Sequence, residues 1–494
     1  MTSRPLILAI DSGSSSVRTV VVDLPDRILG EGREAVTWSH RQPGWAELDP
    51  VALWDSVRGT VARALDSAGV GDERIAGVGI TSHRETVVLW DRATGEPLHD
   101  AVVWISKQTD EIVAGWDADG RGGEFLARTG LHNDSFFSAA KVVWLLDNVP
   151  GARDRAVRGE LAIGTIDCWL LSNLTGGEVH ATDPSCASRT ALYNLDLRAW
   201  DVELCGILGI PTELLPEVRP SDGDFGRVRA DLLPARPPVR AVLADQQSSM
   251  FGQACFEPGS IKHTFGTAGV LTVNTGASPV HYAGLTSSVA WAVQGQTAFE
   301  AEGVVFHSGQ TMSQMREKWR LAFDMTDVDA IAGSVPDAGG VYLVPAFGGM
   351  AAPWWDRGAA ASLQGVTLET GLPQLLRAAV EAMAYQVVDI VAALRESGLA
   401  VETMKVDGGG AASSLLCQLL ADLARVQVLR PERLERTSLG AALVAGIGLG
   451  LVSGPEEVAA AWTVADTFVP VIPIERRDAL YEGWRRALSR TLSV

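Results

Sequence analysis

ILAIDSGSSSVRTVVVD, residues Ile7 to Asp23, sets two short apolar runs, Leu6 to Ile10 and Val17 to Val22, on either side of Asp11-Ser12-Gly13-Ser14-Ser15-Ser16. Apolar runs broken by a small polar segment predict a β-hairpin whose tip is rich in hydrogen-bond donors. Small side chains let backbone amides and hydroxyls approach phosphate oxygens, Arg18 just inside the second run adds positive charge, and Asp11 suits a hydrated magnesium ion. A P-loop is a different device, since it needs Gly-Lys-Ser/Thr leading into a helix, and no such Gly-Lys pair follows here.

The rest of the chain sets the scale. At 494 residues it is too long for one ordinary core and points to two or three domains. Its 47% hydrophobic and 20% charged residues are those of a globular enzyme. The net charge of -19 disfavours nucleic acid and anionic membrane surfaces as partners. The apolar stretch Pro5 to Ile10 is too short for the core of a signal peptide, and no run reaches the ~18 apolar residues of a membrane span, so a cytoplasmic protein is expected. The 5 cysteines, Cys168, Cys186, Cys205, Cys255 and Cys417, are scattered without CxxC spacing and are expected to be reduced thiols holding neither metal nor disulfide.

Strand-like and helix-like segments alternate throughout, which predicts an α/β architecture. Ile75 to Ile80, Thr86 to Trp90, Val341 to Val344, Met404 to Val406 and Val426 to Leu429 read as strands. Leu375, Ala379, Met383, Val387, Ile390 and Leu394 recur at helical spacing, and Ser438 to Leu449 reads as a helix of small residues able to pack closely. Phosphate-loop candidates occur in both halves: the Asp11 turn, and Thr264-Phe265-Gly266-Thr267-Ala268-Gly269. Two related lobes with a nucleotide between them account for both. The division is placed after the Pro-rich stretch Leu233 to Pro238, giving residues 1–243 and 244–494.

From Gly79 to Trp104 the chain reads GITSHRETVVLWDRATGEPLHDAVVW, and here it resembles the FGGY carbohydrate kinase family, nearest to its glycerol kinases. The likeness runs on through GWAELDP (Gly44 to Pro50), GTIDCWL (Gly164 to Leu170), VYLVPAFGGMAAPWWD (Val341 to Asp356) and KVDGGGAASSLLCQLLADL (Lys405 to Leu423). Two blocks match the family's diagnostic patterns. One runs from Phe136 through Ser138, Lys141 and Trp144 to Asn148, and the other from Ala361 through Gly365 to Glu381. The resemblance implies two actin-like, ribonuclease-H-type domains that close around ATP, magnesium and a small polyhydroxylated substrate, in a chain whose relatives often form homodimers or homotetramers.

Phosphoryl transfer to a hydroxyl needs in-line placement, neutralised phosphate charge and a base beside the attacking oxygen. Asp245, at the head of the second half, is the candidate base. Adjacent Arg84 and Glu85 form a donor and acceptor pair suited to vicinal hydroxyls. The resemblance gives the same roles to these three and adds Gln246 as a second hydroxyl contact and Trp104 as an apolar wall; Asp11 and Asp245 are the candidate carboxylates for magnesium. It further implies that Ser14, Ser15, Ser16, Arg18 and Thr267 meet the phosphates, while Gly309, Gly409 and Ser413 line the nucleotide's adenosine side. The run Gly408-Gly409-Gly410 permits close backbone approach there.

Departures from the family bear on the acceptor. Phe136 stands where glycerol kinases typically have Tyr, Val270 where they have Phe, and Ser413 where they usually have Asn. After Trp104 the chain reads Ile105-Ser106-Lys107-Gln108 instead of Gln/Asp and paired arginines. The first two changes leave one wall less polar and another roomier. Three readings therefore stand: ATP-dependent phosphorylation of glycerol to glycerol 3-phosphate; the same chemistry on a four- or five-carbon polyol or ketose such as erythritol, threitol, xylulose or ribulose; and a non-enzymatic nucleotide-binding regulator. The stretch Asp231 to Arg240 lacks the Gly/Arg-rich run with which some bacterial relatives bind fructose 1,6-bisphosphate, so no response to that sugar through this loop is expected.

Overall fold

The computed structural model describes residues 4–493. The opening hairpin forms with Leu6–Ser12 antiparallel to Ser16–Asp23 and Asp11 opposite Arg18. Arg27–Ala35 extends it on one side, and Ile75–Ser82 and then Val239–Ala244 add in parallel on the other. The resulting order is Val239–Ala244, Ile75–Ser82, Leu6–Ser12, Ser16–Asp23, Arg27–Ala35.

Both faces of this sheet are covered, so its strands read as continuous apolar runs rather than alternating ones. Successive side chains still divide between the faces. Leu6, Leu8 and Ile10 pack with Leu53, Val57 and Val61 of the helix Pro50–Ala68. Ile7 and Ala9 pack instead with Leu439, Leu443 and Val444 of the helix Thr437–Gly448. That second helix comes from the far end of the chain, and glycine is what lets it sit so close. A Cβ at Gly79 would lie 2.4 Å from the carbonyl oxygen of Ala441, and one at Gly440 would lie 1.8 Å from that of Ser248.

The second sheet repeats the plan. Its order is Thr286–Val293, Gln296–Val305, Gly269–Gly276, Ile261–Phe265, Thr403–Asp407, Gln427–Pro431, Val464–Phe468. Again an antiparallel group is extended by parallel strands beside its first member, though here Gly269–Gly276 pairs with Gln296–Val305 and Thr286–Val293 takes the edge. The helix Leu372–Glu396 buries Leu376, Ala379, Met383, Val387, Ile390 and Leu394 in this core. The helix Asp245–Gly252 follows directly on Val239–Ala244, whose last two residues straddle the division at 243/244. All five cysteines are buried and unbridged. Among the described residues no helix is long and apolar enough to cross a membrane.

Candidate functional site

The two hairpins aim their turns at each other. Between them lies a cavity of about 190 Å3 lined by Ser14 and Ser15 of the first turn and by Gly266, Thr267 and Ala268 of the second. Its remaining walls are His83, Arg84 and Glu85 just after Ile75–Ser82, Asp245 and Gln246 at the head of their helix, Thr264, the aromatic pair Trp104 and Phe136, and Val270 and Val304. Ten of the sixteen residues singled out in the sequence thus meet in one place: Ser14, Ser15, Arg84, Glu85, Trp104, Phe136, Asp245, Gln246, Thr267 and Val270.

Asp245 occupies the first turn of its helix, where Ala244 is the N-cap. Its Oδ1 accepts from the Gln246 amide at 2.7 Å and lies 3.4 Å from Nε of Arg84. Burial pushes its pKa up, against the pull of Arg84 and Lys262. A carboxylate raised in this way is a better proton acceptor than one in water. Glu85 holds a left-handed backbone, φ 63, a costly conformation for a non-glycine residue. Its Oε1 is engaged by Nε of Arg189 at 2.8 Å. Arg84 donates to Glu302, which comes from the second sheet.

The orientation of Gln246 follows from its neighbour. Lys262 is fully buried and has only donors to offer, and its Nζ lies 2.6 Å from Oε1 of Gln246 and 2.8 Å from Oγ1 of Thr264. With its oxygen committed, Gln246 turns its amide NH2 away from Lys262, free to donate to a hydroxyl oxygen. Trp104 and Phe136 meet edge to face at 5.6 Å, and Phe136 also packs on Phe306 at 5.8 Å. The loop carrying Phe136 is pinned by Lys141, whose buried Nζ donates to the carbonyls of Ser135, Phe136 and Phe137 at 2.7, 2.6 and 3.0 Å. On the far side of Trp104 and Phe136 lies a smaller cavity of about 90 Å3, bordered by Lys107, Asp134, Phe306, His307 and Arg357.

The other six residues lie around this cavity. Ser16 accepts from Arg33 at 3.2 Å, and Arg18 is ion-paired with Glu31 at 2.7 Å and with Glu435. Gly309 donates to the Gly266 carbonyl at 3.0 Å, and a Cβ there would lie 2.8 Å from the same oxygen, so it packs flat on the second turn. Gly409 opens the turn Gly409–Ala412 with no neighbour within 4 Å of a Cβ placed there. Ser413 caps the helix Ser414–Ala424, accepting from the Leu416 amide at 2.9 Å and donating to Asp329 at 2.5 Å. Asp11 accepts from Ser438 at 3.3 Å, and its pKa is driven up by burial, then by the carboxylates of Glu435 and Asp245.

A buried acid beside other carboxylates is relieved by a cation, so Asp11 and Asp245 fit magnesium. Among the described residues no cluster of three or more ligating side chains forms.

Sequence reading missed Arg189, Lys262 and Glu302. Arg189 lies inside the family-like stretch ATDPSCASRTALYNLDLRAWD (Ala181 to Asp201) and Lys262 two residues before the loop Thr264 to Gly269, and the available signal was a charged residue inside a strand or turn otherwise read as core: Lys262 in IKHTF, Glu300 and Glu302 in FEAEGVV.

Comparison with known proteins identifies the family. Residues 6–252 match the model for the FGGY family of carbohydrate kinases, N-terminal domain, and residues 261–449 match that for its C-terminal domain. A curated glycerol kinase of Thermus brockianus is 45% identical over 98% of both chains, and one of Carboxydothermus hydrogenoformans is 41% identical over 99% of this chain and 98% of its own. The crystal structure of Plasmodium falciparum glycerol kinase with ADP superposes with a TM-score of 0.89 at 28% identity, covering 99% of both chains. A xylulose kinase from Rhodospirillum rubrum superposes with a TM-score of 0.83 at 26% identity, covering 98% of both.

Proposed function

This chain belongs to the FGGY family of carbohydrate kinases and is an ATP-dependent kinase, and from that premise we propose that it phosphorylates a primary hydroxyl of glycerol, giving glycerol 3-phosphate. The observation that carries the reading is the convergence of Arg84, Glu85, Asp245 and Gln246 on a cavity bounded by both hairpin turns. Arg84 donates to one acceptor hydroxyl and Glu85 accepts from another through the oxygen that Arg189 leaves free, while Gln246 donates its amide. Trp104, Phe136 and Val270 cover the carbon chain.

Asp245 takes the proton of the attacking hydroxyl as its oxygen bonds to the γ-phosphorus and the bond to the β-phosphate oxygen breaks, releasing ADP. Ser14, Ser15, Ser16 and Thr267 offer donors to the phosphates, and Arg18 reaches them by exchanging Glu435 for a phosphate oxygen. Gly309, Gly409 and Ser413 line the adenosine side. Magnesium, held near Asp11 and Asp245, would neutralise charge on the transferred group. The lobes 1–243 and 244–494 close on the two substrates and exclude water, in a protein of the cytoplasm.

Phe136 and Val270 favour a second reading, a four- or five-carbon polyol or ketose as acceptor, because one wall lacks a hydroxyl and another lacks a ring. A coupled ADP-release assay with ATP and magnesium over glycerol, dihydroxyacetone, erythritol, threitol, xylulose and ribulose decides between them. Strong turnover on glycerol supports the first reading. Turnover confined to a longer acceptor replaces it with the second, and silence across the panel overturns both.

A further inference from the structure

Arg84 and Glu85 do not hold their own geometry. Arg84 has a long flexible stem, and Glu85 sits on a strained backbone at the cavity wall. What surrounds them is a closed square of charge. Arg84 donates through Nη1 to Oε2 of Glu302, Arg189 Nη2 lies 2.7 Å from Oε1 of the same carboxylate, and Arg189 Nε donates to Oε1 of Glu85 at 2.8 Å. The fourth side is the 3.8 Å approach of Arg84 Nε to Glu85. Each Glu302 oxygen thus serves one arginine, and Arg189 is further steadied by Thr286 at 3.2 Å. The Glu302 and Arg189 side chains have no exposure at all, and those of Arg84 and Glu85 have 5% and 3%.

We propose that Glu302, from the second sheet, is a positioning residue for the acceptor: through Arg84 directly, and through Arg189 to Glu85, it fixes where the donor and the acceptor of the hydroxyl-binding pair point. It does not line the cavity itself. The physical reason is that two guanidinium groups this close and this buried repel each other unless a carboxylate bridges them. With one bridging oxygen neutralised, Arg84 is free to swing toward Asp245, which its Nε already approaches at 3.4 Å, and the hydroxyl site loses its shape. Because Glu302 belongs to the opposite lobe from the residues it orients, the acceptor site is complete only when both lobes contribute.

The inference rests on the acceptor reading given above, and the test separates the two. Glu302→Gln keeps the volume and removes the charge. Acceptor KM should rise roughly 30-fold while kcat falls by less than about 5-fold, with ADP affinity by calorimetry unchanged. The penalty should also depend on the hydroxyls present. Propane-1,2-diol and propane-1,3-diol each lack one of glycerol's, and on at least one of them Glu302→Gln should cost less than about 3-fold, since the contact it spoils is already missing. A residue that merely supports the fold would penalise all three acceptors alike. If Glu302→Gln does not fold, judged by lost ADP binding, Arg189→Lys carries the same measurement, because it keeps the charge but cannot span both carboxylates. Equal acceptor KM in the variant and the unaltered chain, or equal losses on glycerol and both diols, overturns the positioning role and leaves the acceptor reading standing. Silence of the unaltered chain on glycerol overturns that reading, and this inference with it.

Discussion

Phe136→Ala should turn two cavities into one. The Phe136 ring borders both the cavity of about 190 Å3 and its neighbour of about 90 Å3, with edge or tilted contacts to Trp104, Phe137 and Phe306 at 5.6, 5.1 and 5.8 Å. Phe136 is only 6% exposed, so truncation loses a buried ring and leaves a void, at a cost of about 3–5 kcal/mol in stability. The joined space admits a longer carbon chain. At about 0.8 kcal/mol per buried methylene, the two extra apolar carbons of pentane-1,2,3-triol are worth about 1.6 kcal/mol, or roughly 15-fold in kcat/KM relative to glycerol. The assay is ADP release on glycerol and on pentane-1,2,3-triol by the same preparations, with urea unfolding run in parallel. A selectivity ratio within about twofold of the unaltered chain, alongside the stability loss, would refute the idea that this ring divides the acceptor space.

Three further outcomes are expected. Asp245→Asn should lower kcat by roughly 10²- to 10⁴-fold while ADP affinity, by calorimetry, stays near that of the unaltered chain; turnover within about tenfold would remove Asp245 as the base. Gly440→Ala should cost about 1–3 kcal/mol or more, seen as a lower melting temperature, because the new methyl meets a backbone oxygen that has no rotamer to escape into. Asp389 accepts from Tyr481 at 2.8 Å and Trp484 at 2.9 Å, yet burial pushes its pKa up to about 6. A carboxyl raised in the folded state binds its proton more readily there than when unfolded. Its contribution is therefore greatest below about pH 4 and is lost as pH rises to about 6, an effect of about 3 kcal/mol. Urea unfolding should show the stability of the unaltered chain minus that of Asp389→Asn falling across that window; a flat difference would contradict it.

The elements that the sequence announced were those with local signals. The opening hairpin, the strand into Asp407 and the helix through Leu375 and Leu394 all carried unbroken apolar runs or a helical period, and the structure extends each by only a few residues, with Leu376 buried and Leu375 part-buried. The pair Arg84 and Glu85 was visible because its two charges are adjacent and follow an apolar strand. Arg189 and Glu302 gave no such sign. They lie 113 residues apart, and their meaning arises only when the second sheet brings one against the other. Arg18 shows the opposite limit. A lone arginine in a phosphate-cradling turn reads as free, whereas here Glu31 and Glu435 occupy it, and Glu435 arrives from more than four hundred residues away.

The helix Thr437–Gly448 ties the order of synthesis to the order of folding. Ile7, Ala9, Val20 and Val22 are made early, yet the side chains that cover them, Leu439, Leu443 and Val444, leave the ribosome near the end. Until then one face of the first sheet is bare, since its other helix, Pro50–Ala68, serves the opposite face. A fragment ending at residue 243 would expose that greasy surface and clump, and supplying the 437–448 helix as a separate segment should restore its solubility. The first sheet is therefore finished by a helix from the second half of the chain, and the lobe it belongs to does not mature before that helix is made.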